Sequence, residues 1–389
     1  MYEWAIIGGG IHGCTVANFL LAKGLTTTSK LSVIDPHSEP LHMWKRNTEL
    51  IGMEYLRSPS VHHIDLDPFS LQKYQENNHD RKELYGNYKR PSLNLFNDHA
   101  DKTLENVNIH RSWHQGKVSH ASRKGDGWRI ITELGSEIST KNIVIAISIN
   151  HQLKIPEWVA SLKSARDNIY HVYDKSLTSL ENVSGPVTVI GGGITAAHVA
   201  IRLTFLYPGQ VTLLKRHPFR IHSFDSDPGW LGPKNLISFH RERDYSKRRS
   251  LINEARHKGS LPRELYNKLA KLEKEKKLCI KNGEVVVGER IDDKETVLHL
   301  KDGKILETNS VILATGFTPS LPNEAWLTNL INSEGLQCAK CGYPIVQSSL
   351  EWCEHLYVAG PLSELELGPT ARNISGARKA AERILLSAT

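Results

Sequence analysis

Two short stretches carry glycine at the spacing that lets a backbone turn wrap a pyrophosphate: Gly8-Gly9-Gly10-Ile11-His12-Gly13 and Gly191-Gly192-Gly193-Ile194-Thr195-Ala196. In each, the first glycine permits a tight turn and the second leaves bare backbone against the phosphates. The third position, glycine or alanine, lets a helix pack closely on a strand. Free N–H groups at the start of that helix then meet the phosphate charge. Asp35 stands 22 positions after Gly13, at the end of the apolar run Leu31-Ser32-Val33-Ile34, where a carboxylate takes ribose hydroxyls. The second stretch is followed by Val211-Thr212-Leu213-Leu214, which runs into Lys215-Arg216-His217 with no acid. Cations there accept a ribose 2′-phosphate that a carboxylate would repel. The spacing predicts two dinucleotides, the second carrying that phosphate.

Two such units in one chain make a redox relay. A nicotinamide delivers hydride, and a flavin accepts it and passes electrons on singly, in pairs, or to oxygen. FAD is expected at Gly8, Gly10, Ile11, His12, Gly13 and Asp35, and NADPH at Gly191, Gly193, Ile194, Thr195, Lys215 and Arg216. Other chemistry-bearing residues are fewer. Cys338-Ala339-Lys340-Cys341 is a CxxC whose lysine would lower a thiol pKa, though a surface turn is the plainer reading. It lacks a second ligand pair for zinc, so no metal is expected. His62-His63 follow the ribose acid, and Phe224-Asp225-Ser226-Asp227-Pro228-Gly229-Trp230 could line a nicotinamide cleft or form an acidic turn.

Positioning these residues requires strand–loop–helix–strand units over Trp4–Ile34 and Val187–Leu214, so the expected class is α/β with two Rossmann-like domains. The expected boundaries are 1–183 for the first part of the FAD domain and 184–306 for an NADPH domain carrying a basic helical insertion at 218–282. Residues 307–389 then return to the FAD domain. A closing helix is expected from about Thr370 to Leu386, with Ala371, Ile374, Ala377, Ala381 and Ile384 as its apolar stripe.

In a chain of 389 residues, 39% hydrophobic and 23% charged, the composition is that of a globular protein. The net charge of +7 is local: Arg241 to Lys277 holds thirteen Lys/Arg against six Asp/Glu, without the interleaved aromatics of a single-strand binder. Nucleic-acid and membrane partners are not expected. Five scattered cysteines argue against a disulfide framework, and the absence of an apolar run of about 18 residues or a signal-peptide pattern points to the cytoplasm. An oligomer is compatible with the sequence.

Val311-Ile312-Leu313-Ala314-Thr315-Gly316-Phe317 resembles the strand and ATG turn of the two-dinucleotide-binding flavoprotein superfamily, and Leu356-Tyr357-Val358-Ala359-Gly360 resembles its last FAD-domain strand. Within it the chain is most similar to the class B flavin monooxygenases that hydroxylate lysine or ornithine amines. The likeness rests on Ala314 to Phe317, on Arg57-Ser58-Pro59 followed by Pro68-Phe69-Ser70-Leu71 and Tyr74, and on Arg90-Pro91 with Phe96. It differs in having Ile11-His12 where that group carries proline, and in showing no lysine around Met53 to His63. The resemblance implies that Thr315, Gly316, Arg57, His63, Gly360, Gly368 and Asn373 also touch cofactor, with the Gly360–Asn373 loop over the flavin ring. It implies oxygen as co-substrate and a small amine or other soft nucleophile as substrate. A reductase of a disulfide, quinone or protein acceptor, and a non-catalytic flavin-binding redox sensor, remain the alternatives.

Overall fold

Trp4, Ala5, Ile6 and Ile7 are each at most 4% exposed, so this apolar run must be covered on both faces, the condition for a central parallel strand. The computed structural model describes residues 1–78, 83–149, 152–160, 162, 168–291 and 295–388. In it the chain forms β1 (Tyr2–Ile7), α1 (Ile11–Ala22), β2 (Leu31–Asp35) and α2 (His42–Leu50). β3 (Trp113–Gln115), β4 (Val118–Lys124), β5 (Gly127–Thr132) and β6 (Glu137–Ile145) follow. A second series comprises β7 (Ile169–His171), β8 (Val187–Ile190), α3 (Ile194–Leu206) and β9 (Val211–Lys215). It continues through α4 (Pro233–Arg241), α5 (Tyr245–Ala255) and α6 (Arg263–Lys274) to β10 (Leu278–Asn282) and β11 (Ser310–Leu313). The chain closes with β12 (Leu356–Val358) and α7 (Ile374–Ala388).

Two sheets result, and they repeat one plan. In the first, β1 lies between β2 and β6 in parallel, with β3 beyond β2 and β12 beyond β6. In the second, β8 lies between β9 and β11 in parallel, with β10 beyond β9 and β7 beyond β11. Each glycine stretch leaves the carboxyl end of the central strand, where order reverses on either side and ligands of doubly wound folds bind. Separate apolar cores lie under the two sheets, and α7 packs on α1.

Three expectations are corrected. Val311–Leu313 pairs in register with Thr188–Ile190, so this strand belongs to the second sheet, and the chain leaves that sheet after Leu313 instead of at residue 307. The second sheet also begins before residue 184, because Ile169–His171 pairs with Val311–Leu313. The closing helix starts at Ile374, not Thr370. Residues 368–373 instead make successive turns, Ala371 N–H donating to Gly368 O and Asn373 N–H to Thr370 O. Gly376 allows this, since a Cβ there would stand 2.3 Å from Thr370 O.

Candidate functional site

Both glycine stretches form the same cradle. Gly8 has φ +110° and a Cβ on it would lie 2.7 Å from Ala146 O at the end of β6; Gly191 has φ +156° and its Cβ would lie 2.6 Å from Ala314 O at the end of β11. The first glycine of each loop therefore sits against the neighbouring strand's end, a place closed to side chains. Gly13 lets α1 approach β1 so closely that a Cβ would come within 1.8 Å of Gly8 O. The helices begin at Gly10 and Gly193, and neither N-terminus is capped by a side chain, so their first N–H groups remain for an anion.

Around the first cradle, Asp35 receives hydrogen bonds from Gly9 N (2.7 Å) and His37 N (2.9 Å), and its Oδ1 lies 2.8 Å from His37 Nδ1. The Trp113 indole fills the space beside Gly9 and donates from Nε1 to His37 O at 3.0 Å. His12 packs against Gly360, and its Nδ1 is buried with no hydrogen-bond partner. Burial pulls its pKa down to about 4, so the ring is neutral at neutral pH. Thr370 Oγ1, on the loop carrying Gly368 and Asn373, is likewise buried and unpartnered. Orphaned buried polar atoms are costly. A bare glycine turn, an uncapped helix start, a carboxylate one strand over and two orphaned groups fit an FAD that supplies their partners.

Around the second cradle, Thr195 Oγ1 lies 3.3 Å from the Tyr173 hydroxyl, and the Tyr173 ring stacks on Phe317 with centroids 5.3 Å apart. Thr315 and Gly316 tie down this end of β11: the Thr315 hydroxyl donates to Lys154 O, and Gly316 O accepts from Lys154 N. The close approach that Gly193 permits is taken by the chain itself, because a Cβ there would stand 3.2 Å from the Gly259 Cα of the insertion. A cavity of about 280 Å³ adjoins Ile194 and His198 of α3, walled by Tyr55, Tyr85 and the ion pairs Arg90–Glu264 and Glu54–Lys268.

The two cationic residues of the second strand end behave differently. Lys215 is 7% exposed and its ammonium turns inward, donating to Asn282 Oδ1 and lying over the Phe219 ring; burial lowers its pKa. Arg216 is exposed, its guanidinium 3.4 Å from Glu284. Of the two, only Arg216 presents its charge to solvent.

Three other expected cofactor residues are held by contacts within the protein. Arg57 donates to the carbonyls of His222, Ser223 and Phe224, to Ser260 Oγ and, at 2.6 Å, to Asp225 Oδ1, so it ties the insertion to the first unit. His63 is fully buried, with Nε2 3.2 Å from Pro68 O and Nδ1 accepting from Asp65 N, its edge against the His99 ring. Gly368 faces Leu236 and Trp230 of the insertion. Arg57→Ala is accordingly expected to cost about 2 kcal/mol, for the loss of hydrogen bonds from a charged group. It should quicken proteolysis near residues 222–225 while the purified protein keeps its flavin; loss of flavin with unchanged proteolysis would return Arg57 to the cofactor site.

Comparison with known proteins agrees with this geometry. The family described as pyridine nucleotide-disulphide oxidoreductase matches residues 2–381. The chain is 23% identical to the uncharacterized oxidoreductase CzcO of Bacillus velezensis over 322 residues, 82% of this chain and 81% of that protein. Its fold is similar to the ornithine hydroxylase PvdA of Pseudomonas aeruginosa, with a TM-score of 0.76 at 18% identity over 100% of this chain and 98% of that one. It is equally similar to DfoA, the cadaverine monooxygenase of Erwinia amylovora solved with FAD, with a TM-score of 0.76 at 15% identity over 100% and 94%. No helix among the described residues is long and apolar enough to cross a membrane. FAD and a pyridine nucleotide are the cofactors for which the two cradles are built, and the chain belongs to the pyridine nucleotide-disulphide oxidoreductase family as a flavin oxidoreductase.

Proposed function

We propose that the chain is an NADPH-dependent monooxygenase that oxygenates an amine or another soft nucleophile of a small metabolite. The observation that carries this reading is the way the insertion closes over both cradles. Gly259 sits on Gly193, Arg57 holds residues 222–225, and α5 is fixed to the 364–372 loop through Arg248–Glu366 and Arg249–Glu364. Oxygen chemistry at a reduced flavin needs such a cover, because water admitted there diverts the reaction. The whole-length likeness to an ornithine hydroxylase and a cadaverine monooxygenase supports the same reading.

When bound, FAD would take hydride from the nicotinamide and activate oxygen. The residues of the chain supply placement: the N-termini of α1 and α3 would hold the pyrophosphates, His12 Nδ1 and Thr370 Oγ1 would offer hydrogen bonds to the bound FAD, and the insertion keeps water out. Anaerobic NADPH should bleach the flavin, and aerobic turnover with a substrate should yield oxygenated product in excess of hydrogen peroxide. Peroxide as the sole oxygen product with every amine or thioether tested would sink the monooxygenase reading.

The choice of NADPH rests on Arg216. Replacing it by alanine is expected to raise KM for NADPH about tenfold, the loss of one charge-assisted hydrogen bond of about 1.4 kcal/mol, and to leave KM for NADH unchanged. Equal effects on both nucleotides would place the 2′-phosphate elsewhere.

One observation favours a second reading, a reductase. The Cys341 thiol lies beside the Arg249 guanidinium, and Cys338 is three residues back across a turn closed by Gly342 N–H donating to Ala339 O. Cys338→Ser with Cys341→Ser should leave monooxygenase turnover intact and abolish disulfide reduction if the pair relays electrons.

A further inference from the structure

Where the insertion meets the loop leading into α7, four cations gather around one buried carboxylate. Glu364 is 1% exposed; Arg249 of α5 approaches its Oε1 at 2.8 Å, and Arg372 donates from Nε to its Oε2 at 2.6 Å. Arg256, just past α5, donates to Pro369 O at 2.9 Å, and Lys258 donates to Asn253 Oδ1 at 3.0 Å. Among the described residues, the ion pairs made by these four cations are to Glu364 alone. Asp225, the other acid facing Arg256, is committed to Arg57. Three part-buried guanidinium groups and the exposed Lys258 against one carboxylate leave a surplus of positive charge that calls for a further counter-charge.

Two of the four cations, Arg256 and Lys258, register this imbalance. Burial and the neighbouring Arg372 push the Arg256 pKa down, and burial followed by Arg256 and Arg372 lowers that of Lys258. Arg249 spends one arm on Glu364 and lies 4.0 Å over the Tyr343 ring, with the Cys341 thiol alongside. Its Nε and Nη2, the edge that receives an oxyanion in two parallel hydrogen bonds, are buried without a hydrogen-bond partner.

The junction also lies between the two cradles. Gly259, next to Lys258, sits on Gly193 of the second. The backbone of Arg372 reaches the His12 ring of the first, which packs on Gly360. An anion held here would stand where the two cofactors converge. The neighbouring cavity, by contrast, balances its walls with two ion pairs and selects no charge.

We propose that Arg249, Arg256, Lys258 and Arg372 form an oxyanion subsite for the substrate, which is therefore a net-negative small molecule bearing a carboxylate, phosphate or sulfonate beside its nucleophilic atom. The word substrate rests on the monooxygenase reading; the anion site does not. A diamine such as cadaverine is excluded by the same charges.

The FAD-loaded protein, without nucleotide, is titrated with malonate, inorganic phosphate and cadaverine while flavin absorbance and fluorescence are followed, the flavin content of each variant being read first to confirm an intact cofactor site. Malonate and phosphate should bind saturably and cadaverine should not. Lys258→Gln and Arg249→Met should each weaken malonate binding about tenfold, the worth of one charge-assisted hydrogen bond. Binding of malonate unchanged in both variants, binding of cadaverine in place of malonate, or competition of malonate with NADPH would each overturn the proposal, the last by assigning the cations to the phosphates of the nucleotide. Failure of NADPH to reduce the flavin while malonate still binds would overturn the monooxygenase reading alone.

Discussion

Gly13→Ala should give a protein that purifies without flavin colour. The added methyl would stand 1.8 Å from Gly8 O, 3.0 Å from Gly8 C and 3.2 Å from Ile6 Cγ2, and the first two are backbone. The turn at Gly8 has little room to retreat, because Ala146 O stands close enough on its other side to be 2.7 Å from a Cβ placed on Gly8. Helix α1 must therefore move off β1, carrying its N-terminal N–H groups away from the pyrophosphate. Overpacking ordinarily costs about 1–3 kcal/mol, and a clash with backbone belongs at the upper end or beyond. Bound FAD, which stabilises in proportion to the logarithm of its excess over Kd, would be lost as well. Gly10→Ala is the informative contrast. Nothing lies within 4 Å of a Cβ at Gly10 and its φ of −79° suits alanine, so the apoprotein should keep its melting temperature while the methyl obstructs the phosphates. The visible absorbance of each purified variant and its Tm with and without added FAD decide the matter. A Gly13→Ala protein with wild-type flavin content would remove the first cradle as the FAD site.

What the sequence made legible was local. A glycine spacing, the run before it and an acid 22 residues on are set by backbone sterics within one unit, so the two cradles and their helices could be placed without knowing the rest of the chain. What it hid depends on residues far apart. Lys215 and Arg216 are adjacent and both basic, yet Lys215 turns inward because Asn282, at the end of a strand paired beside it, offers an oxygen. Arg57 lies in a stretch shared with monooxygenases, but its partners come from residues 222–225 and 260, which no spacing rule connects to it. The strand Ser310–Leu313 looks equally apolar whichever sheet it joins, and only its pairing with β8 assigns it. Trp113 over Gly9 and Gly259 over Gly193 carried no signal at all, since each fills a space defined by another segment's missing side chain.

Acid should destabilise the fold steeply between about pH 6 and 4.5, and histidines should be the cause. His63, His99 and His198 are 0%, 3% and 5% exposed, and burial draws their pKa values down to about 3, 4 and 4. In the unfolded chain each imidazole titrates near 6.5. Below that pH the unfolded state binds protons that the native state refuses. The stability these groups contribute is therefore complete above about pH 6.5 and is lost as pH falls toward their native values. Each costs about 1.4 kcal/mol per pH unit within that window, so these three cost about 4 kcal/mol per unit, a large share of a typical 5–15 kcal/mol, and His12 and His62, drawn down to about 4 by burial as well, add to it. Carboxylates contribute little there, because their unfolded pKa values, about 4, lie below it. His63 and His99 also meet edge to face at 4.8 Å, so protonating one opposes protonating the other. The check is urea denaturation of the apoprotein at pH 7, 6, 5.5 and 5, compared with His198→Leu. The Nε2 of His198 is buried with no hydrogen-bond partner, so leucine removes a titrating group without stranding another. That variant, which removes one of five such rings, should lose about a fifth of the pH slope between 6 and 5. A wild-type midpoint unchanged between pH 7 and 5 would mean that these rings accept protons in the native state, and that the cores around them admit water.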